Sequence, residues 1–305
     1  MRLCSFIHNG QPSGAVVMDE CVVPLSIVGR VAAETLPADL DTLFATGRLE
    51  ALRGSVTRYA ADVRLHGVPL AGLRLLAPIR QPPKIWCIGL NYREHAADLD
   101  ERSPDEPASF MRPAASICGP NEGICLPPES ERVTGEAELA VVIGRRCTYI
   151  SREEAYGVIA GVVPAIDMTA EDILRRNPRF LTRAKSFDTF LSLGPFIVTV
   201  DEIGDREALR RLRVTTTLNG QAEQTNTGIN MTHDVFDLIA FHSCGMTWEP
   251  GDLLLTGTPG AVVIRPGDVI GCEIEGIGYL QNPVTALSPD RVLTTKRTTR
   301  AEDEF

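Results

Sequence analysis

Two carboxylates stand two residues apart at the head of an apolar run, in Gly135-Glu136-Ala137-Glu138-Leu139-Ala140-Val141-Val142-Ile143-Gly144. Successive side chains on a strand point to opposite faces, so Glu136 and Glu138 share one, with Cβ atoms roughly 6–7 Å apart. Carboxylates entering a buried strand are costly unless paired or bound to a cation. A solvated strand start would show the same pair. A third carboxylate, Asp167, closes the apolar run Val158–Ile166. Three oxygen ligands of this kind suit a hard cation, Mg²⁺ or Mn²⁺, with Ca²⁺ able to replace it in crystals. Water or substrate would fill the remaining positions. No His belongs to the set, which argues against zinc.

Two further groups could act beside such a cation. In Gly89-Leu90-Asn91-Tyr92-Arg93-Glu94-His95-Ala96-Ala97-Asp98, His95 and Asp98 are three apart and share one side of a helical turn. A histidine oriented by a carboxylate is a usual acid–base pairing; such pairs are also ordinary on surfaces. Lys185, in Ala184-Lys185-Ser186-Phe187-Asp188, is a lone cation among small and aromatic neighbours. On its own it reads more often as a snorkelling surface lysine.

The elements that must position these residues form a β-dominated pattern. Leu3–His8 and Ala15–Met18 flank the turn Asn9-Gly10 and predict a hairpin. Leu40–Leu52 and Val56–Val63 have helical apolar spacing, and Gln81-Pro82-Pro83 breaks regular structure. Strands are expected at Ile85–Ile88, Leu139–Ile143, Val158–Ile166, Phe196–Val200, Val214–Leu218, Leu253–Leu255, Val269–Ile274 and Tyr279–Leu280. Ser151-Arg152-Glu153-Glu154 reads as a capping box opening a short helix. Thr169 reads as the cap of a helix through 170–176, and Asp234–Ser243 as another helix. Pro-Gly and Asn-Gly turns recur in the last third. This is α+β, mainly β, without alternating βαβ units. A small N-terminal α+β domain over 1–80, a catalytic domain over 84–290 and a polar tail over 291–305 are expected.

The 305 residues carry 30 Lys and Arg against 40 Asp and Glu, a net charge of −10, which argues against a nucleic-acid partner. No apolar run is long enough to span a membrane, and the N-terminus shows no secretory signal. The eight cysteines have no metal-like spacing and read as free thiols, so a cytoplasmic location is expected.

The ordered segments GLNYREHAAD, SFMRPAASICGP, GEAELAVVIG, AIDMTAEDI, AKSFDTF-LSLGPFIVT, LLTGTPG and PGDVIGCEIEGIGYLQNPV resemble the fumarylacetoacetate hydrolase superfamily from Lys84 to about Ala286. The resemblance implies a mixed β-sandwich roll, usually a homodimer, acting on a small anionic 2-oxo acid of the kind met in aromatic catabolism. It implies Glu136, Glu138 and Asp167 as ligands of Mg²⁺ or Mn²⁺, and Lys185 at the oxo-acid end of the substrate. It implies His95 with Asp98 activating water on a mobile lid, and Asn91, Arg112 and Thr258 as further substrate contacts.

Four positions depart from the family pattern. Asp98 replaces the usual Glu, Arg112 stands where many members have Lys, and Glu171 and Leu174 replace an Arg and a Gln. Glu171 could repel a distal substrate carboxylate, or pair with Arg175 one helical turn on. The implied activity is metal-dependent hydrolysis of a C–C bond in an acylpyruvate. Decarboxylation, tautomerisation or isomerisation, and hydration would use the same enolate chemistry. An inactive oxo-acid-binding protein is the alternative from another class.

Overall fold

The computed structural model describes residues 1–94 and 104–287. The Asn9-Gly10 turn forms as the dipeptide demands. Both residues take positive φ, 50° and 77°, which a two-residue hairpin turn of matching twist requires. It joins strand Arg2–His8 to Gln11–Met18, and Cys21–Pro24 adds a third strand. The two predicted helical stretches are divided more finely, into Leu40–Ala45, Leu49–Arg58 and Ala60–Arg64. Asp39 caps the first of these by accepting the Thr42 N–H at 2.8 Å.

Among the described residues there is one sheet of fourteen strands and one of five. The middle of the large sheet is the antiparallel pair Val133–Ile143 and Ile159–Ala170. Leu253–Leu255 extends it on one side, followed by Ile85–Gly89 and Ala108–Met111. Ile197–Thr199 extends it on the other and pairs with Arg2–His8. The N-terminal hairpin therefore continues the sheet that holds the carboxylates.

Alternation explains how this sheet is covered. Ala137, Leu139, Ile166 and Met168 face the five-stranded sheet and pack with its Ile270, Cys272 and Leu280. Ala140, Val142, Val163 and Ala165 face the other way, against Leu25, Val28, Leu43 and Leu52 of the N-terminal helices. Apolar cover on both faces accounts for the near-continuous hydrophobicity of these strands. The result is the mainly β, mixed-sheet architecture expected. No helix among the described residues is long and apolar enough to cross a membrane.

Three local expectations are corrected. The Ser151/Glu154 capping box does form, with the Ser151 N–H bonding Glu154 at 2.9 Å and the Glu154 N–H bonding Ser151 Oγ at 3.3 Å. It opens no α-helix, only the 3₁₀ turn Ala155–Val158, before the strand begins. Gly157 and the β-branched Val158 are poor helix formers, and the ladder with Val133–Ile143 claims the chain next. Asp167 does not end its strand, which runs on to Ala170. Thr169 caps no helix; Ala170 occupies the cap of Glu171–Arg176, without a side-chain bond. Thr169 lies on the carboxylate face instead.

Candidate metal centre

The strand ladder assembles the site. Glu136 lies opposite Asp167 and Glu138 opposite Ala165, so all three carboxylates project from one face. Their ligand oxygens lie within 4.8 Å of one another. Asp167 is 0% exposed and Glu138 2%, so both charges are withdrawn from water.

Each carboxylate is held by groups from elsewhere in the chain. Glu138 Oε2 accepts the Gly257 N–H at 2.8 Å. Gly257 has φ +91°, and a Cβ there would stand 3.0 Å from the Asn91 Cβ. Positive φ and close approach together explain glycine at this point of Thr256-Gly257-Thr258-Pro259-Gly260. Glu136 Oε1 accepts from the Thr169 hydroxyl at 2.9 Å. Lys185, ending the helix Leu181–Lys185, places Nζ 3.0 Å from Glu136 Oε2 and 2.8 Å from Asp167 Oδ1. Arg112 donates to the same Asp167 oxygen.

Burial sets the electrostatics. It pushes the Glu138 carboxyl well above the usual range, and the charge on Asp167 adds to the rise. Burial also raises Asp167, against the pull of Arg112 and Lys185. Burial pulls Lys185 down, but Asp167 and Glu136 outweigh it and hold the ammonium above its ordinary value. Lys185 thus keeps its charge beside these two carboxylates.

The donor set fits a hard divalent cation. It consists of carboxylate oxygens alone. Asp167 Oδ2 is buried and has no hydrogen-bond partner among the described residues, whereas Oδ1 holds two cations. An unpartnered buried carboxylate oxygen is expensive, and a cation at the triad would satisfy it.

Of the residues expected from sequence, Glu136, Glu138, Asp167, Lys185 and Arg112 come together. Arg112 lies against Asp167, its side chain fully buried. Asn91 is occupied structurally: its amide donates to His233 O at 3.0 Å and Thr256 O at 2.8 Å, and accepts the His233 N–H at 3.0 Å. The buried Thr258 donates its hydroxyl to Gly260 O at 3.0 Å. Glu171 pairs with Arg175 at 2.6 Å and also with Arg132. His95 and Asp98 lie outside the described residues, as does part of the expected lid.

Sequence reading misses Thr169 and the Gly257 amide as partners of the carboxylates. The first is findable. Thr169 is two residues beyond Asp167 and so shares its face, but its place before a helix points to a cap. The second belongs to backbone geometry, which no side-chain pattern reveals.

Comparison with known proteins adds independent findings. A family model described as fumarylacetoacetate (FAA) hydrolase C-terminal matches residues 84–285. A mitochondrial oxaloacetate tautomerase of Rattus norvegicus is 38% identical over 238 residues, covering 75% of each chain. An uncharacterized protein of Archaeoglobus fulgidus is 41% identical over 225 residues, covering 73% of this chain and 86% of its own. The crystal structure of 5-carboxymethyl-2-hydroxymuconate delta-isomerase from Mycobacterium smegmatis superposes with a TM-score of 0.73 at 32% identity, over 94% of this chain and 100% of that one. Maleylpyruvate hydrolase from Sphingobium sp. SYK-6, solved with manganese(II) and pyruvate, superposes with a TM-score of 0.78 at 27% identity and the same coverage.

Proposed function

From the premise that this chain belongs to the fumarylacetoacetate hydrolase family, we propose that it is a divalent-metal-dependent enzyme converting a small anionic 2-oxo acid through its enolate. The observation that carries this reading is the triad of Glu136, Glu138 and Asp167 with Lys185 bridging two of its members. When bound there, Mg²⁺ or Mn²⁺ supplies Lewis acidity toward the 2-oxo acid. Glu136, Glu138 and Asp167 hold the cation. Lys185, kept charged by its carboxylate neighbours, offers a donor to the oxygen on which enolate charge develops. Acceptance of the substrate proton is assigned in this proposal to His95, with Asp98 three residues on.

Keto–enol tautomerisation or isomerisation is the first reaction to test. It needs one proton removed at carbon and one delivered at oxygen. The oxaloacetate tautomerase of Rattus norvegicus is also 38% identical over three-quarters of each chain. C–C hydrolysis of an acylpyruvate is the second reading, favoured by the likeness to a maleylpyruvate hydrolase that holds manganese and pyruvate. There His95 would activate water. A homodimer is part of the proposal and is checked by light scattering.

The test is a substrate panel of oxaloacetate, acylpyruvates and 2-hydroxymuconate-type dioates, followed by ultraviolet absorbance with Mg²⁺, with Mn²⁺ and after chelation. Metal-dependent turnover of one class is expected. Conversion unaffected by chelation, or binding of 2-oxo acids without conversion of any, would overturn the reading.

A further inference from the structure

Arg112 follows the edge strand Ala108–Met111 and has no surface of its own; its side chain is fully buried. Its two terminal nitrogens meet four acceptors. Nη1 donates to Phe190 O at 2.8 Å and to Lys185 O. Nη2 donates to Met168 O at 2.9 Å and to Asp167 Oδ1. One guanidinium thereby ties together the strand carrying Asp167, the helix end carrying Lys185 and the turn after that helix. A lysine, a single charged point on a flexible stem, could not span that set; the planar fork can.

The arrangement has a chemical consequence. Arg112 and Lys185 both engage Oδ1 of Asp167. The carboxylate is thus fixed in rotation, and Oδ2 is the oxygen left without a partner among the described residues. The backbone carbonyl of Lys185, the residue whose ammonium bridges Asp167 and Glu136, is held by the same guanidinium.

We propose that Arg112 is a positioning residue. It presents Oδ2 of Asp167 to the cation and sets the reach of Lys185, without touching substrate. This rests on the metal-dependent reading above. Groups that orient a metal ligand typically change affinity or activity by about 10–100-fold when altered. Arg112→Lys keeps the charge but cannot keep the four bonds. It should weaken Mn²⁺ affinity by roughly 10-fold or more. It should also alter the Mn²⁺ electron-paramagnetic-resonance spectrum and lower kcat with KM little changed.

The experiment titrates Mn²⁺ into wild type, Arg112→Lys and Arg112→Met, recording spectra, melting curves and kinetics with the substrate the panel identifies. Absence of Mn²⁺ binding to wild type would overturn the metal-dependent reading itself. Wild-type binding with affinity, spectrum and kcat of Arg112→Lys within about twofold of wild type would overturn the role of Arg112 alone. So would an Arg112→Lys protein that lacks a cooperative melt and is not rescued by Mn²⁺, because Arg112 would then serve the fold rather than the site.

Discussion

The two ends of one strand face are built on opposite principles. On Val133–Ile143 and Ile159–Ala170, the residues Ala140, Val142, Val163 and Ala165 pack against the N-terminal helices in a closed apolar layer. Within a few residues along the same face stand Glu136, Glu138 and Asp167. Backbone ladder, side-chain direction and burial are continuous between the two. The apolar end gains from removal of its surface from water. At the acidic end burial works against the charged forms, and the charge is offset by Lys185 and Arg112. The proposed chemistry is placed where the sheet departs from its own rule, as expected when consistency yields to function.

The sharpest way to break this contrast is Glu138→Gln, which keeps the shape and an acceptor for Gly257. Loss of a direct ligand should exceed the roughly 10–100-fold that outer partners cost in metal affinity, and metal-dependent turnover should vanish. The metal-free protein should gain about 1 kcal/mol, or about 2–4 °C in melting temperature, as like-charge repulsion falls. The pH dependence has a definite sign. A carboxyl whose folded pKa is raised contributes stability that is full below its ordinary value near 4.5 and is lost as pH rises through the raised one. Metal-free wild type should therefore weaken with rising pH more steeply than Glu138→Gln. Identical slopes in calorimetry would remove Glu138 from the account.

Lys185→Met tests the offsetting charge. Removing a donor aimed at developing negative charge should lower kcat by on the order of 10²-fold, while Mn²⁺ affinity holds or tightens because a competing cation is gone. Weaker Mn²⁺ binding in isothermal titration would show that Lys185 builds the site rather than serving the reaction. The apolar end should respond oppositely. Leu255, wholly buried and paired in register with Ala140, should cost about 2–5 kcal/mol as Leu255→Ala in denaturant unfolding, with Mn²⁺ affinity unchanged. A matching loss of affinity would mean the two ends are coupled.

The smallest effect is expected away from the site. Burial, with a further push from His233, lowers the His242 imidazole from 6.5 to about 4. Its ring packs edge-on against Trp86 and Phe241. A depressed base contributes stability that is present above its ordinary value and lost as pH falls through the folded one. His242→Phe should flatten the stability profile between about pH 6.5 and 4. An unchanged profile would place the acid sensitivity elsewhere.

Much of this molecule is legible in its sequence because local rules suffice for it. Asn9-Gly10 dictates its own turn, and the strands Leu253–Leu255 and Val269–Ile274 fall where their apolar runs lie. Glu136 and Glu138 share a face because side chains alternate, and the ordered motifs carry the family. Thr169 and the 3₁₀ turn at Ala155–Val158 escape a local reading because a capping pattern is local while the claim of a long antiparallel ladder is not.

What the tertiary structure alone decided is who meets whom. Register brings Asp167 opposite Glu136. Chain crossing brings Arg112 to Asp167, 55 positions away, and to the carbonyl of Lys185, 73 positions away. Sequence determines residue chemistry and local direction, since both depend on near neighbours. Pairing across such separations depends on how whole layers pack, and that alone put the Arg112 guanidinium among Asp167, Met168, Lys185 and Phe190.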